Sequence, residues 1–304
     1  MNDDATVSVV VTSSGSASAL ARCLASVAPQ CARRGAELVL ALRADDQRPE
    51  GLTARARVIR APRTASLAQR RAAGLASATG EWIVLTEPPC VPDNGWLDAL
   101  VAGADTSEPV IGGAVGVALT TDCRSLAAFF AEYGLYGGTG RIRLRDGTPH
   151  IAAANVAYHA KLKDEVVDAF ARDESEPTVH SSLHRRGLAF RFIPLAVVRF
   201  DATTTLKAAF HERFSHGREF AAAAVRSQRL GATRRLLRAA AALLAVPLLA
   251  ARIALATERD ARRCILRAAP GTLLLLAAWA GGEAVGFVVG RSRLHSEMSV
   301  GAGP

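Results

Sequence analysis

The sequence predicts an α/β fold: a mostly parallel sheet flanked by helices, followed by a helical C-terminal region. Three observations predict it. Short apolar runs rich in β-branched residues alternate with segments whose apolar residues recur at helical spacing, which is the pattern of βαβ units. The chain has 304 residues and is 50% hydrophobic, enough for one large domain with an appendage or for two domains. Charge is unevenly placed: residues 207–293 hold fifteen Lys/Arg against five Asp/Glu, so of the net +9 the tail carries +10 and the remainder −1.

Val7–Thr12 (VSVVVT) is the run expected of a buried parallel strand, and residues 13–16 form the loop after it. Residues 19–28 (ALARCLASVA) have helical spacing. Residues 37–42 (ELVLAL) and Arg57–Ala61 (RVIRA) read as a second and third strand. Residues 66–78 (SLAQRRAAGLASA) form a helix opened by Ser66 as N-cap, and residues 81–86 (EWIVLT) a strand stopped by Pro88 and Pro89. This is a Rossmann-like alternation, and ligands of open α/β sheets bind beyond the carboxyl ends of the strands. That rule places Ser13, Ser14, Arg43 to Asp46, and Glu87 to Cys90 on one rim.

The middle of the chain reads as a Gly-rich strand at 110–119, a helix at 125–133 and a glycine-rich loop at 137–140. A block at 151–158 (IAAANVAY), an acidic stretch at 173–176, a helix at 179–186 and strand pieces at 190–194 and 196–200 follow. No internal repeat is present.

The tail begins near Thr205. Residues 210–226 form an amphipathic basic helix. Residues 239–251 are an apolar run containing Pro247 and closed by Arg252. Residues 268–290 are 23 residues interrupted only by Glu283. The first run is short for a bilayer span and the second is long enough. Two buried helices would also fit, but the length of the second run favours membrane insertion or interfacial burial. Arg234, Arg235, Arg238, Arg252, Arg259, Arg262 and Arg263 would then lie at cytoplasmic headgroups. Arginines flanking apolar runs point to an anionic membrane. With no zinc-finger, RRM or helix-turn-helix signature, no nucleic-acid partner is expected. The expected division is 1–204 for the α/β domain, 205–231 for a basic helix closing its rim site, and 232–304 for a membrane-associated region. The five cysteines lack metal spacing and are odd in number, as expected of thiols in a reducing cytosol. No basic and apolar leader pattern opens the sequence, so no signal peptide is expected.

The stretch ASLAQRRAAGLASATGEWIVLTEPPCVPDNGWLDAL, residues 65–100, resembles the central signature of family 2 nucleotide-sugar glycosyltransferases. That signature is a helix ending in A-x-G-E, a strand, an acidic metal-binding triplet, then C-x-P-x-x-x-W-L. Gly80-Glu81, Cys90, Pro92 and Trp96-Leu97 match it. IAAANVAYHA, GLAFRFIPLAVVRF and HERFSHGR align with later family segments in order and spacing, and the resemblance spans about residues 6–226.

The resemblance implies a GT-A fold and transfer of a hexosyl group, with inversion, from a nucleotide-sugar donor to a glycan or lipid-linked hydroxyl. A divalent cation, Mg2+ or Mn2+, would assist, and the catalytic domain would be cytoplasmic, where the family's donors are. The implied base is Glu176, with Glu174 as a near alternative. Ser13, Ser14, Asp45, Arg71, Glu87, Arg213 and Arg218 would meet the donor, and Glu87 would ligate the cation. Two departures stand out. The acidic triplet is Glu87-Pro88-Pro89, and Leu42-Arg43 stand where the family has an Asp, leaving Asp45 or Asp46 as substitutes. They leave open a second reading, a catalytically weakened relative that binds a glycan or partner at the membrane. His180 and His184, four apart, read as surface or acceptor-site residues, and Trp96 as packing.

Overall fold

The computed structural model describes residues 5–13, 16–49, 56–117, 122–136, 147–149, 151–201, 205–256 and 262–290. The chain forms two compact units. One is Met1–Leu119 with Tyr136–Ala202, and the other Thr120–Leu135 with Thr203–Pro304.

The first unit is built on eight strands: β1 Val7–Thr12, β2 Glu37–Arg43, β3 Arg57–Ala61, β4 Trp82–Thr86, β5 Cys90–Pro92, β6 Val110–Val117, β7 Val156–His159 and β8 Phe190–Phe200. Their order in the sheet is β3-β2-β1-β4-β7-β6-β8-β5. The β3-β2-β1-β4 half is parallel, as expected where a helix follows a strand and returns the chain to the same end. The other half is mixed. β7 runs antiparallel to both β4 and β6, β5 is antiparallel to β8, and β6 and β8 are parallel. The expected mostly parallel sheet is therefore a mixed one. Apolar periodicity reports that a segment is a strand, not which way it runs.

β1 and β4 are buried along their whole length, as a strand with neighbours on both edges and helices on the faces must be. Helix α1, Ala17–Arg34, starts at Ser16, whose hydroxyl accepts from the Ala19 N–H, and ends at Gly35 in the left-handed region, φ 65°. It runs past the expected end at residue 28 and through Pro29. Helix α2, Leu67–Ser77, opens with a reciprocal capping box between Ser66 and Gln69. Helix α3 is Trp96–Ala102; α4, Cys123–Tyr133, belongs to the second unit; α5 is Lys163–Ala171 and α6 is Glu176–Arg185. Leu75 of α2, Phe170 of α5 and Leu183 of α6 join Val10, Ile83 and Tyr158 of the sheet in one core. Each such side chain contributes on the order of 1.5–3 kcal/mol when fully buried.

Trp96 is fully buried, and its Nε1–H donates to Asn155 Oδ1 at 2.8 Å. Asn155 in turn donates to the carbonyls of Ala114 on β6 and Ala196 on β8, both at 2.8 Å. The tryptophan is thus a packing residue, as expected. The two anticipated strand pieces at 190–200 are one strand, β8, whose register against β6 shifts between Gly113 and Ala114 and leaves Leu195 exposed.

The second unit contains α4, α7 Leu206–Ser227, α8 Ala232–Leu244, α9 Val246–Ala256 and α10 Arg262–Val289. Helices α7 and α10 meet at backbone distance. A Cβ at Gly217 would lie 2.3 Å from the Trp279 carbonyl oxygen, one at Gly282 2.0 Å from that of Phe214, and one at Gly286 2.4 Å from that of Arg218. Small residues permit that approach. Arg235 of α8 donates to the Phe287 carbonyl at 2.6 Å and to that of Val288, so it caps the end of α10. Cys264–Val289, 26 residues with mean hydropathy 1.8, is long and apolar enough to cross a membrane, a property shared with buried core helices of soluble proteins. Helices α8 and α9 meet at a 48° bend.

Candidate active site

Three rim segments come from the ends of β1, β2 and β4. Ser13, directly after β1, is buried and donates its hydroxyl to Asp46 Oδ2 at 2.8 Å. Asp46 also accepts the Arg43 N–H at 3.0 Å and two guanidinium N–H groups of Arg43 at 3.0 and 3.1 Å. Burial opposes ionisation of Asp46, but these hydrogen bonds outweigh it and hold the carboxyl below its ordinary value. Asp45 faces the other way, in ion pairs with Arg63 at 3.2 Å and Arg43 at 3.8 Å. Of the two neighbouring aspartates, Asp46 is the one against Ser13. Ser14 lies outside the described residues.

Helix α2 presents Arg71 to Glu87, the residue after β4. Arg71 Nη2 lies 2.6 Å from Oε1 and 2.8 Å from Oε2, and Nε lies 3.1 Å from Oε2. Both side chains are nearly buried, 11% and 9% exposed. The Arg71 guanidinium also lies 5.8 Å from the centre of the Phe170 ring. The preceding residue, Arg70, is buried as well. Its Nη1 donates to the Ala65 carbonyl at 2.7 Å, and its Nε has no partner among the described residues. Burial, then repulsion from Arg43, lowers the affinity of Arg70 for its proton, while Asp46 and Glu87 act the other way.

Glu176 opens α6, with Pro177 behind it in the first turn, a position that suits proline. Its Oε2 accepts the Ala153 N–H at 2.5 Å, and its Oε1 has no hydrogen-bond partner among the described residues. Burial pushes this carboxyl up to about 8. The Arg71 charge and the Ala153 N–H oppose the rise, Glu87 adds to it, and a hydrogen bond with the Tyr136 side chain opposes it more weakly. Glu176 therefore shares its electrostatic surroundings with Arg71 and Glu87, so all three lie in one neighbourhood. Glu174 instead pairs with Arg172 at 3.0 Å. His180, one turn along α6, is 1% exposed and hydrogen-bonds the Tyr158 hydroxyl at 2.8 Å. Of the two expectations for His180, surface or acceptor site, the surface one fails, because the face of α6 that carries Glu176 is the face packed on the core.

The sequence model described as glycosyl transferase family 2 matches residues 8–166, more than half of the chain. The chain belongs to glycosyl transferase family 2. The match covers the strands and helices that carry Ser13, Asp46, Arg71 and Glu87, whereas Glu176 lies beyond it. No curated protein matches the sequence. Among solved structures, this family 2 chain is similar to the mannosyltransferase PcManGT from Pyrobaculum calidifontis, in complex with GDP-Man and Mn2+. Identity is 17%, the match covers 91% of this chain and 87% of that one, and the TM-score is 0.53. That likeness shows a GT-A fold. A second similar structure is glucosyl-3-phosphoglycerate synthase from Mycobacterium tuberculosis in complex with UDP. Its identity is 15%, the match covers 74% of this chain and 80% of that one, and the TM-score is 0.45.

The divalent cation implied by the resemblance can be tested against the donor set. Hard cations such as Mg2+ and Mn2+ want several oxygen ligands. At the end of β4 this family 2 chain offers Glu87, both of whose oxygens already accept from Arg71, followed by two prolines without side-chain donors. Among the described residues, no group of three or more His, Cys, Asp or Glu is placed to hold a metal ion. These residues do not fit a protein-held cation.

Arg213 and Arg218 belong to the second unit, on α7. Arg213 donates to the Ala131 carbonyl of α4 at 3.0 Å, and its guanidinium lies 4.4 Å from the Trp279 ring centre. The backbone of Arg218 abuts Gly282 and Gly286 of α10. Thus Arg71 and Glu87 pair, Glu176 lies within electrostatic reach of both, Ser13 pairs with Asp46, and Asp45 is exposed. Sequence reasoning missed Arg70 and the Ala153 N–H. Two consecutive arginines on a helix give no signal that both are buried, and a backbone donor gives none at all.

Proposed function

We propose that this family 2 glycosyltransferase moves a hexosyl group, with inversion, from a nucleotide-sugar donor to a hydroxyl of a glycan or lipid-linked acceptor. The observation that carries the reading is the shared neighbourhood of Glu176, Arg71 and Glu87. A carboxyl whose proton affinity is raised to about 8 is suited to general-base work near neutral pH. Glu176 takes the acceptor hydroxyl proton as that oxygen attacks the anomeric carbon. The bond from that carbon to the diphosphate breaks on the opposite face, and the diphosphate leaves with the electron pair. Arginines facing developing charge lower the barrier by fixed electrostatics. Ser13 and Asp46 stand at the first and second strand ends, a suitable place for the nucleoside.

The arginine-rich tail, the long apolar α10 and the exposed leucines of α8 support a site held at the cytoplasmic face of an anionic membrane. A thermal-shift screen of the full chain against UDP-, GDP- and dTDP-sugars tests donor use, since a ligand of the native form raises its melting temperature. NMR of the transferred anomeric centre tests inversion. Folded protein that responds to none of these donors would end the reading.

A further inference from the structure

Outside Glu176, the rim gathers Arg43, Asp46, Arg70, Arg71 and Glu87, with Asp45 at its edge paired to Arg63 at 3.2 Å and to Arg43 at 3.8 Å. Arg43 is matched by Asp46 and Arg71 by Glu87. Arg70 is buried and has no carboxylate of its own. Its described hydrogen bond goes to the neutral Ala65 carbonyl, and its Nε has no partner among the described residues. Arg43, Asp46, Glu87 and Arg71 all act on it electrostatically, so it lies within this cluster. A structural ion pair does not call for a third cation. Burying one with an unpaired N–H costs stability, and such costs are retained where an anion completes the site.

The same positions offer a metal one carboxylate and no second side-chain ligand. Proline fills two places of the triplet, and the remaining carboxylate is gripped on both oxygens. A cation ligated by Glu87 would have to displace Arg71. Guanidinium forks match phosphate oxygens in geometry and charge.

We propose that Arg70 and Arg71 supply the positive charge opposite the donor's diphosphate, so that this chain binds a nucleoside diphosphate without a divalent cation. The proposal rests on the donor-binding reading above. Glu87 then serves as a positioning residue that sets the plane of Arg71.

The test is calorimetric titration of the full chain with UDP and with GDP, in excess EDTA and in Mn2+. The expected result is a Kd unchanged within about threefold between the two buffers, with Arg70→Met and Arg71→Met each weakening it about tenfold or more. Because Arg71→Met leaves Glu87 buried without its partner, Arg71→Met/Glu87→Gln is titrated beside it, and each variant's melting is recorded. Binding that EDTA abolishes and Mn2+ restores would overturn the proposal while leaving the donor reading intact. Wild-type affinity in Arg70→Met would overturn it as well. If folded protein binds neither nucleotide in either buffer, the donor reading itself falls, and this proposal with it.

Discussion

Arg71 closes on both carboxylate oxygens of Glu87, from 2.6 and 2.8 Å, with the two side chains almost out of water. Removing one member of such a pair leaves an uncompensated buried charge, which typically costs about 3–5 kcal/mol. Glu87→Ala should therefore lower the urea midpoint markedly. Glu87→Gln, which keeps an acceptor for Arg71, should lower it less. Equal midpoints for wild type and Glu87→Ala would show that the pair contributes nothing to the fold.

Glu176→Gln should reduce transferase turnover by about 10²–10⁴-fold, the usual contribution of a general base. Donor affinity should stay within about twofold, because Gln preserves the acceptor for the Ala153 N–H. Near-wild-type turnover would remove Glu176 from the chemistry.

The raised proton affinity of Glu176 gives two pH signatures of opposite sense. In the unfolded chain the group titrates near 4.5, and in the folded chain near 8. Its stabilising contribution is complete below 4.5 and is lost as pH rises toward about 8, because the unfolded state ionises first. The stability of Glu176→Gln relative to wild type should therefore grow between about pH 5 and pH 9 by thermal melting. Wild-type turnover should instead climb through about pH 8 as the basic form fills. A flat difference in melting temperature across that window would mean that the carboxyl is not buried as described.

Asn155→Ala should destabilise by at least about 2 kcal/mol, since it orphans the buried Trp96 Nε1–H and two strand carbonyls at once. Urea unfolding followed by tryptophan fluorescence reads this directly. A loss no larger than that of an exposed Asn→Ala would show that the network is dispensable.

Leu236 and Leu237 on α8 are 61% and 66% exposed, next to Arg234, Arg235 and Arg238 on the same helix. Purified full chain should co-sediment with anionic vesicles, and Leu236→Glu/Leu237→Glu should weaken that binding several-fold by removing apolar contact and adding repulsion. Unchanged vesicle binding by the double variant would take α8 out of any lipid contact.

Much of the fold was legible. The β-branched runs at Val7–Thr12 and Arg57–Ala61 became strands with the same limits, and Ser66 caps α2 as its spacing implied. The three-residue β5 and the helices α3 and α5 gave weak periodic signals because each is short or shares its apolar residues with a neighbour. The antiparallel placement of β7 was hidden because strand direction depends on where the chain returns, which no local pattern encodes. At the site, the family signature led to Arg71, Glu87 and Glu176. It did not separate Asp45 from Asp46, which are adjacent residues of the same chemistry distinguished only by the turn after β2. Nor did it show Arg71 occupying both carboxylate oxygens of Glu87.

The glycine contacts of α7 with α10 have a mechanical consequence. With Gly217, Gly282 and Gly286 each set against a carbonyl of the opposite helix, a side chain at any of the three would force the helices apart, and the bare backbones pack in direct contact. The two behave as one stiff plank. A displacement of α10 is therefore handed on to α7, and Arg213 and Arg218 move with a helix other than their own.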